Sequence, residues 1–265
     1  MEVHFLPPNV AVVNRLQGKT ALVTGSTSNI GRAIALAYGA EGAHVVVSGR
    51  DGERGDAVVA EIRGAGGRAD FVHADLDGSQ ELSQQLAAAA TAALGRVDVV
   101  VNNAGIYPAG TTLTTDATTF DRIFGVNVKA PYFLIAALIP GMVERGGGVV
   151  VNLGSWIARL GVPSGSAYSA SKGALETLTR AWSAEFGPSG VRVNAVSPGV
   201  VADSGSELAR LAVGMMRGTP ADGVGRPEAI AAAAVYLASD EAEFVHGTVL
   251  DVDGGRLGVA VVASG

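Results

Sequence analysis

Seven short, β-branched apolar runs, separated by longer helical stretches, set the strongest limit on how this chain can fold. The runs are "TALVT" (20–24), "HVVVS" (44–48), "ADFVHA" (69–74), "VDVVVN" (97–102), "GVVVNLG" (148–154), "VRVNAVS" (191–197) and "TVLDVD" (248–253). Most lack polar–apolar alternation, so they predict parallel strands covered on both faces. Helices are expected near 30–40, 52–65, 79–94, 115–143, 167–187 and 227–238. Such alternation demands right-handed crossovers and gives an α/β fold, a doubly wound, mainly parallel seven-stranded sheet with helices on both faces.

No linker or repeat divides the 265 residues, which are 48% hydrophobic and 17% charged, so a single domain over 16–265 is expected. Residues 1–15 read as an arm, and 202–225, with Gly205, Gly214, Gly218, Pro220 and Gly223, as an inserted lid. A net charge of −6 argues against nucleic-acid partners. Cysteine is absent and the four histidines lack metal-ligand spacing, so no metal site is expected. The apolar runs "APYFLIAALIPGMV" and "AIAAAAVYLA" are short for a bilayer, and the N-terminus has no secretion-signal pattern, so a cytoplasmic protein without a membrane partner is expected.

After the first run comes "TGSTSNIGRAIA", Thr24–Ala35, a glycine turn opening a helix. Free N–H groups and the positive dipole end at such a helix start suit a pyrophosphate, and Gly25 and Gly31 let the backbone approach it. Asn29 stands where a third glycine is expected. Asparagine best tolerates left-handed backbone angles after glycine and is a good N-cap, so the loop should survive, with the Asn29 amide capping the helix or facing the ligand.

"SAYSASKGALETLTRAW" places Tyr168 and Lys172 four apart on one helical face. A nearby ammonium can stabilise a phenolate, and a drop of about three pKa units needs roughly 4 kcal/mol. Ser155 ends the fifth run at the carboxyl edge of the sheet, where doubly wound folds bind ligands. Asn127, in "FGVNVKAPYF", is a polar residue on an apolar helical face and requires partners.

From about Leu16 to Gly258 the chain resembles the short-chain dehydrogenase/reductase family. The resemblance rests on "TGSTSNIG", "ADL", "NNAG" at 102–105, Asn127, Ser155, "YSASK", "NAVSPG" and the closing "GRPEAIAAAAVYLASDEAEFVHGTVLDVDGG". It implies a Rossmann-type fold and hydride transfer between a nicotinamide cofactor and a ketone or secondary alcohol. Tyr168 is then the general acid/base, Lys172 lowers its pKa and holds the nicotinamide ribose, Ser155 bonds the reacting oxygen, and Asn127 anchors a relay water. The implied cofactor contacts are Gly25, Thr27, Asn29, Ile30, Gly31, Arg50, Asp75, Leu76, Asn103, Ala104, Gly105, Tyr168, Lys172, Pro198, Gly199, Val201 and Asp203. Asn102 is implied to brace the sheet. Asp203 replaces a threonine usual in the family.

At the end of the second run Gly49 stands where a carboxylate would hold an adenosine ribose, and Arg50 follows. A guanidinium suits a 2′-phosphate, which favours NADP(H) over NAD(H); Arg50 stacked on adenine would leave both usable. Trp156, Ile157, Leu160, Tyr107 and Met215 are candidates to line an apolar substrate pocket. The nearest resemblance is to 3-oxoacyl-thioester reductases, with a small or acyl-thioester carbonyl as substrate. The loops "MVERGGG" and "EFGPSG" carry little positive charge and weaken a carrier-protein substrate. Two alternatives are a redox sensor or scaffold that binds dinucleotide without turnover, and an NAD-dependent sugar or hydroxy-acid dehydrogenase. The resemblance also implies a homotetramer packed through the helices near 115–143 and 167–187.

Overall fold

The computed structural model describes residues 14–163, 165–202 and 213–260. The seven runs become β1 (Thr20–Thr24), β2 (His44–Gly49), β3 (Arg68–His73), β4 (Val99–Asn102), β5 (Gly148–Leu153), β6 (Val191–Pro198) and β7 (Val249–Val252). Their order in the sheet is β3-β2-β1-β4-β5-β6-β7, and every pairing is parallel, so the expected "mainly parallel" sheet is wholly so among the described strands. β4 starts two residues later than its apolar run, and at its entry the Asp98 carboxylate accepts the Thr20 N–H at 3.0 Å.

The continuous apolarity of the strands has a direct structural reading. Alternate residues face opposite layers of helix. Ala21, Val23, Val45, Val47, Val99 and Val101 pack beneath α1 (Asn29–Ala40), α2 (Gly52–Gly64) and α7 (Pro227–Ala238). Leu22, Val46, Val100 and Val150 pack beneath α3 (Gln80–Leu94), α5 (Ala130–Glu144) and α6 (Ser166–Phe186). Burying one such side chain stabilises the fold by roughly 1.5–3 kcal/mol, so neither face tolerates a polar register. Buried polar residues in the strands need partners: Asn102 and Asn152 are opposite each other in register, and Asn102 Nδ2 donates to Asn152 Oδ1 at 2.8 Å inside the sheet.

The helix expected over 115–143 is not uniform. It consists of α4 (Ala117–Phe124), a π-turn over Gly125–Lys129, and α5. The widened turn falls on Asn127, and one-turn π-bulges within helices are frequent at functional sites. Taken together, residues 117–144 are long and apolar enough by length and composition to cross a bilayer, but 56% of their most apolar window is buried in the fold, as in a core helix.

The ends of the expected lid are pinned together: Gly225 N–H donates to the Val200 carbonyl at 2.9 Å, and Ala202 N–H to the Gly225 carbonyl at 3.1 Å. The lid between 203 and 212, and the arm except residues 14–15, lie outside the described residues. Because β1 pairs with β2 on one side and β4 on the other, chain connections diverge between β1 and β4 and open a crevice at their carboxyl ends.

Candidate active site

The loops that leave β1 and β4 are tied to one another before any ligand enters. Asn103 Nδ2 donates to the carbonyls of Thr24 and Gly25, each at 2.9 Å. Thr24 Oγ1 receives the N–H groups of Asn103 at 3.1 Å and Ala104 at 3.0 Å. This clamp explains both glycines. A Cβ on Gly31 would lie 2.3 Å from the Gly25 carbonyl oxygen, and one on Gly25 would lie 2.8 Å from Ala104 Cα. Asn29 has φ 46, the left-handed backbone expected of it. It makes no cap: Ser28 is the N-cap of α1, without a side-chain bond, and the exposed Asn29 lines the crevice.

The crevice has a volume of about 620 Å³, within the usual range for ligand sites. Gly25, Thr27, Asn29, Ile30, Gly31, Arg50, Asp75, Leu76, Asn103, Ala104, Gly105 and Tyr168 all line it. A second cavity of about 200 Å³ shares Ile30, Asn103, Gly105 and Tyr168 with it, and adds Ser155, Lys172, Pro198, Gly199 and Val201. The candidates therefore meet along one continuous trough at the carboxyl edge of the sheet. Asp203 lies outside the described residues.

At one end of the trough, Gly49 closes β2 with no side chain, and a Cβ there would come 2.7 Å from Thr27 Cγ2. Arg50 Nε lies 3.6 Å from Asp75 Oδ1, both largely in solvent. Asp51 is occupied elsewhere, capping α2 through the Arg54 N–H at 3.0 Å. Arg122 of α4 also reaches this cavity; it escaped the sequence reading because an isolated cation on an amphipathic helix carries no motif.

At the other end, Tyr168 and Lys172 project from consecutive turns of α6. Lys172 is 4% exposed, and its Nζ donates to the Leu153 carbonyl at 2.7 Å, lying 5.8 Å from the Tyr168 ring centre. Burial pulls its amine down to about 8, against which the Glu176 carboxylate pushes up. The Tyr168 phenol is shifted upward, by burial foremost, while a hydrogen bond with Ser155 pulls it back and Tyr107 adds to the rise. This runs opposite to the expected lowering by Lys172, because the phenol is desolvated and the amine is bonded to the strand end. Ser155 is buried at the start of a 3-10 turn, with its Oγ 3.4 Å from the Ile157 N–H.

Asn127 does not line either cavity; it stands behind the wall. Its Oδ1 accepts the Ile106 N–H at 2.9 Å, and its Nδ2 donates to the Ile106 carbonyl at 3.1 Å and to Ser171 Oγ at 3.0 Å. Ser171 Oγ in turn donates to the Tyr168 carbonyl at 2.7 Å. The side chain thus braces the loop after β4 against the turn bearing Tyr168. Ser171 is a participant that the sequence reading passed over, although it stands inside "YSASK".

The pocket candidates divide. Tyr107 lines the second cavity and meets Tyr168 edge-on, ring centres 4.6 Å apart at 62°. Trp156 and Ile157 are instead buried, Leu160 lies outside both cavities, and Met215 is exposed. The loops "MVERGGG" and "EFGPSG" lead into the amino ends of β5 and β6, at the edge opposite the trough. There Gly190 packs on Gly146, and Arg145 Nη2 donates to the Val97 carbonyl at 2.8 Å. They do not border the site, so their low charge says nothing about a carrier protein.

Known proteins match this arrangement along most of the chain. The family model described as enoyl-(acyl carrier protein) reductase matches residues 25–256. The 2-(S)-hydroxypropyl-CoM dehydrogenase 3 of Xanthobacter autotrophicus is 35% identical over 254 residues, covering 93% of this chain and 99% of its own. A solved 7α-hydroxysteroid dehydrogenase, complexed with NADH and 7-oxo glycochenodeoxycholic acid, has a TM-score of 0.87 at 33% identity, covering 92% of this chain and 96% of its own. The gluconate 5-dehydrogenase of Burkholderia cenocepacia, in complex with NADP and tartrate, has a TM-score of 0.86 at 29% identity, covering 93% and 98%.

Proposed function

Since the chain belongs to the short-chain dehydrogenase/reductase family of oxidoreductases, we propose that it interconverts a ketone and a secondary alcohol with NADP(H), working chiefly as a reductase on a small or acyl-thioester carbonyl. One observation carries this reading: Ser155, Tyr168 and Lys172 face a cavity that runs into a glycine-lined crevice. That crevice fits a dinucleotide. The Gly25–Gly31 turn, whose glycines let it pack closely on Asn103 and Ala104, lines the crevice, and the start of α1 would offer its N–H groups to a pyrophosphate. Thr27, Asn29, Ile30 and Asn103–Gly105 would wall its middle, while Leu76 and Asp75 would meet the adenine. Pro198, Gly199 and Val201 would bound the nicotinamide end, with Asp203 the next residue to test.

When bound, the nicotinamide supplies a hydride to the carbonyl carbon, or accepts one from the alcohol. In reduction the C=O π electrons move onto oxygen, and Tyr168 transfers its phenolic proton to that oxygen. The upward shift of the phenol keeps it protonated and suits it to this direction. Ser155 donates to the same oxygen and stabilises the charge that develops there. Lys172, with one proton on the Leu153 carbonyl, has two others for the ribose and for the field that stabilises the phenolate. Asn127 holds the wall behind them, and through Ser171 the turn of Tyr168.

NADP(H) is favoured because Gly49 offers no carboxylate to the ribose, Thr27 crowds any that replaced it, and Arg50 stands at the rim. We further infer self-association through the outer faces of α5 and α6, where Val128, Tyr132, Phe133, Ala174 and Leu178 line an apolar groove. Sedimentation velocity tests that inference. The catalytic reading is tested by NADPH and NADH binding through cofactor fluorescence, then by turnover over a panel of ketones and secondary alcohols with Tyr168→Phe as control. Tight binding without Tyr168-dependent turnover would instead identify a sensor.

A further inference from the structure

We propose that Tyr107 is a specificity-determining residue: its ring, seated against Gly165 and edge-on to Tyr168, walls the mouth of the smaller cavity and limits the substrate to a compact carbonyl. The proposal rests on the functional reading above and narrows its substrate class, favouring a small ketone over a long acyl thioester.

The seat is built by two loops. Tyr107 lies in the loop after β4, and Gly165 is the N-cap of α6. The loops are joined where Gly165 N–H donates to the Gly110 carbonyl at 2.7 Å and where Thr112 Oγ1 and Ser166 Oγ lie 3.0 Å apart. Gly165 is left-handed, with φ 69, and its missing side chain makes room for the ring. A Cβ there would lie 2.9 Å from Tyr107 Cε2 and 3.1 Å from its hydroxyl oxygen. From another side the Tyr168 ring meets Tyr107 at 4.6 Å and 62°, an arrangement that aromatic pairs favour. The Gly165 carbonyl accepts the Ser169 N–H at 2.8 Å, so the seat and Tyr168 belong to one helical turn. The ring is thereby held at a fixed place beside the phenol.

That place decides what can enter. The smaller cavity holds about 200 Å³, below the roughly 300 Å³ at which ligand sites usually begin. Ser155, Tyr168 and Lys172 line its chemical side, and Pro198, Gly199 and Val201 the end that would receive the nicotinamide. With a nicotinamide there, the room left beside Ser155 and Tyr168 would be smaller still. Among the lining residues Tyr107 alone is both bulky and largely exposed, at 53%, so it stands at the mouth. A substituent too long for the cavity has to pass this ring. Truncating Tyr107 opens the mouth without emptying a space in the core, because half of the ring already faces water.

Butan-2-one and cyclohexyl methyl ketone share a methyl ketone and differ in the bulk of the other substituent. Neither has an aromatic face to stack on Tyr107, so ring attraction does not mask the effect of size. With NADPH, kcat/KM for the cyclohexyl ketone relative to butan-2-one should rise about 10- to 100-fold in Tyr107→Ala. In Tyr107→Phe, which keeps the ring, the ratio should stay near wild type. An unchanged ratio in the alanine variant, or an equal rise in both variants, would overturn the proposal. A merely structural ring would lower turnover of both ketones alike and leave the ratio unmoved.

Binding separates this outcome from the functional reading. In protein labelled with 3-fluorotyrosine, 19F NMR follows the five tyrosines, and Tyr168→Phe identifies the signal beside the site. If wild type shows no Tyr168-dependent turnover, the functional reading fails. Titration of each ketone at the Tyr168 signal, with NADP⁺ present, then decides the role of Tyr107. Relatively tighter binding of the cyclohexyl ketone in Tyr107→Ala supports the size-selecting wall. An unchanged ratio of affinities, or no response to either ketone, overturns it.

Discussion

At the adenosine end of the trough, Arg50 and Asp75 face each other at 3.6 Å with 63% and 66% of their side chains in solvent. At the chemical end, Lys172 and Glu176 are 4% and 3% exposed; Lys172 Nζ donates to the Leu153 carbonyl at 2.7 Å, and Glu176 Oε2 lies 3.2 Å from Arg159 Nε. Water screens the first pair, and such contacts contribute about 0–1 kcal/mol. The buried groups lie where charges act strongly and where displacement is resisted by packing. On the proposed function, cofactor choice would rest on groups that change cheaply, and proton transfer on groups that fail when altered.

The largest test of this contrast removes one oxygen. Tyr168→Phe keeps the ring against Tyr107 and should lower kcat by about 10²–10⁴, with dinucleotide affinity nearly unchanged. A residual rate within tenfold of wild type would place the proton donor elsewhere. The same end should show a basic limb. With the Lys172 amine at about 8, its charge is present below that pH and lost as pH rises through it, so turnover should decline above about pH 8. A flat profile to pH 10 would mean that the amine's charge is not needed.

Between the two ends, the glycine turn offers an intermediate effect. Gly31→Ala sets a Cβ 2.3 Å from the Gly25 carbonyl and 2.4 Å from Asn103 Nδ2, the first a backbone atom and the second held by its bonds to the Thr24 and Gly25 carbonyls. Relieving that contact should disturb about 1–3 kcal/mol of local geometry, and dinucleotide binding should weaken by roughly 5- to 150-fold. Titration of cofactor fluorescence measures it, and unchanged affinity would show that the turn does not hold the ligand. Asn127→Ala should act on stability instead. It removes the partner of the Ile106 N–H and carbonyl and one of the two bonds of Ser171 Oγ, which costs about 1–3 kcal/mol for each group left unpaired. Denaturant unfolding checks this, and a loss below 0.5 kcal/mol, roughly the scale of a surface change, would remove Asn127 as a brace.

The same contrast explains what could be read from the sequence. The seven strands and the two helical layers were legible because the runs at 20–24, 44–48 and 97–102 are apolar without alternation, as expected of a sheet covered on both faces. Tyr168, Lys172 and Ser155 were legible because spacing on a helix and position after a strand are local properties. The π-turn at Gly125–Lys129 was not, since its cause is tertiary: a Cβ on Gly125 would lie 2.4 Å from the Asp77 carbonyl, a contact across the fold. Nor was the direction of the Tyr168 shift, which depends on how much water the folded site excludes. Glu176 stood in plain view four residues after Lys172. Only burial distinguishes it from a solvated helix face, and burial is not written in spacing.

The smallest effect belongs to the exposed end. Arg50→Ala should reduce NADPH affinity by about tenfold, or 1.4 kcal/mol, and leave NADH nearly untouched, because the guanidinium addresses the extra phosphate and little else. Asp75 opposes it: Asp75→Asn frees Arg50 from its 3.6 Å partner and should raise NADPH affinity slightly. Both effects should shrink between 0.05 and 0.5 M salt, since the Debye length falls from about 14 Å to about 4 Å over that range. If Arg50→Ala changed NADPH and NADH binding equally, the arginine would be stacking on adenine, and the cofactor preference would lose its support without touching the chemistry at Tyr168.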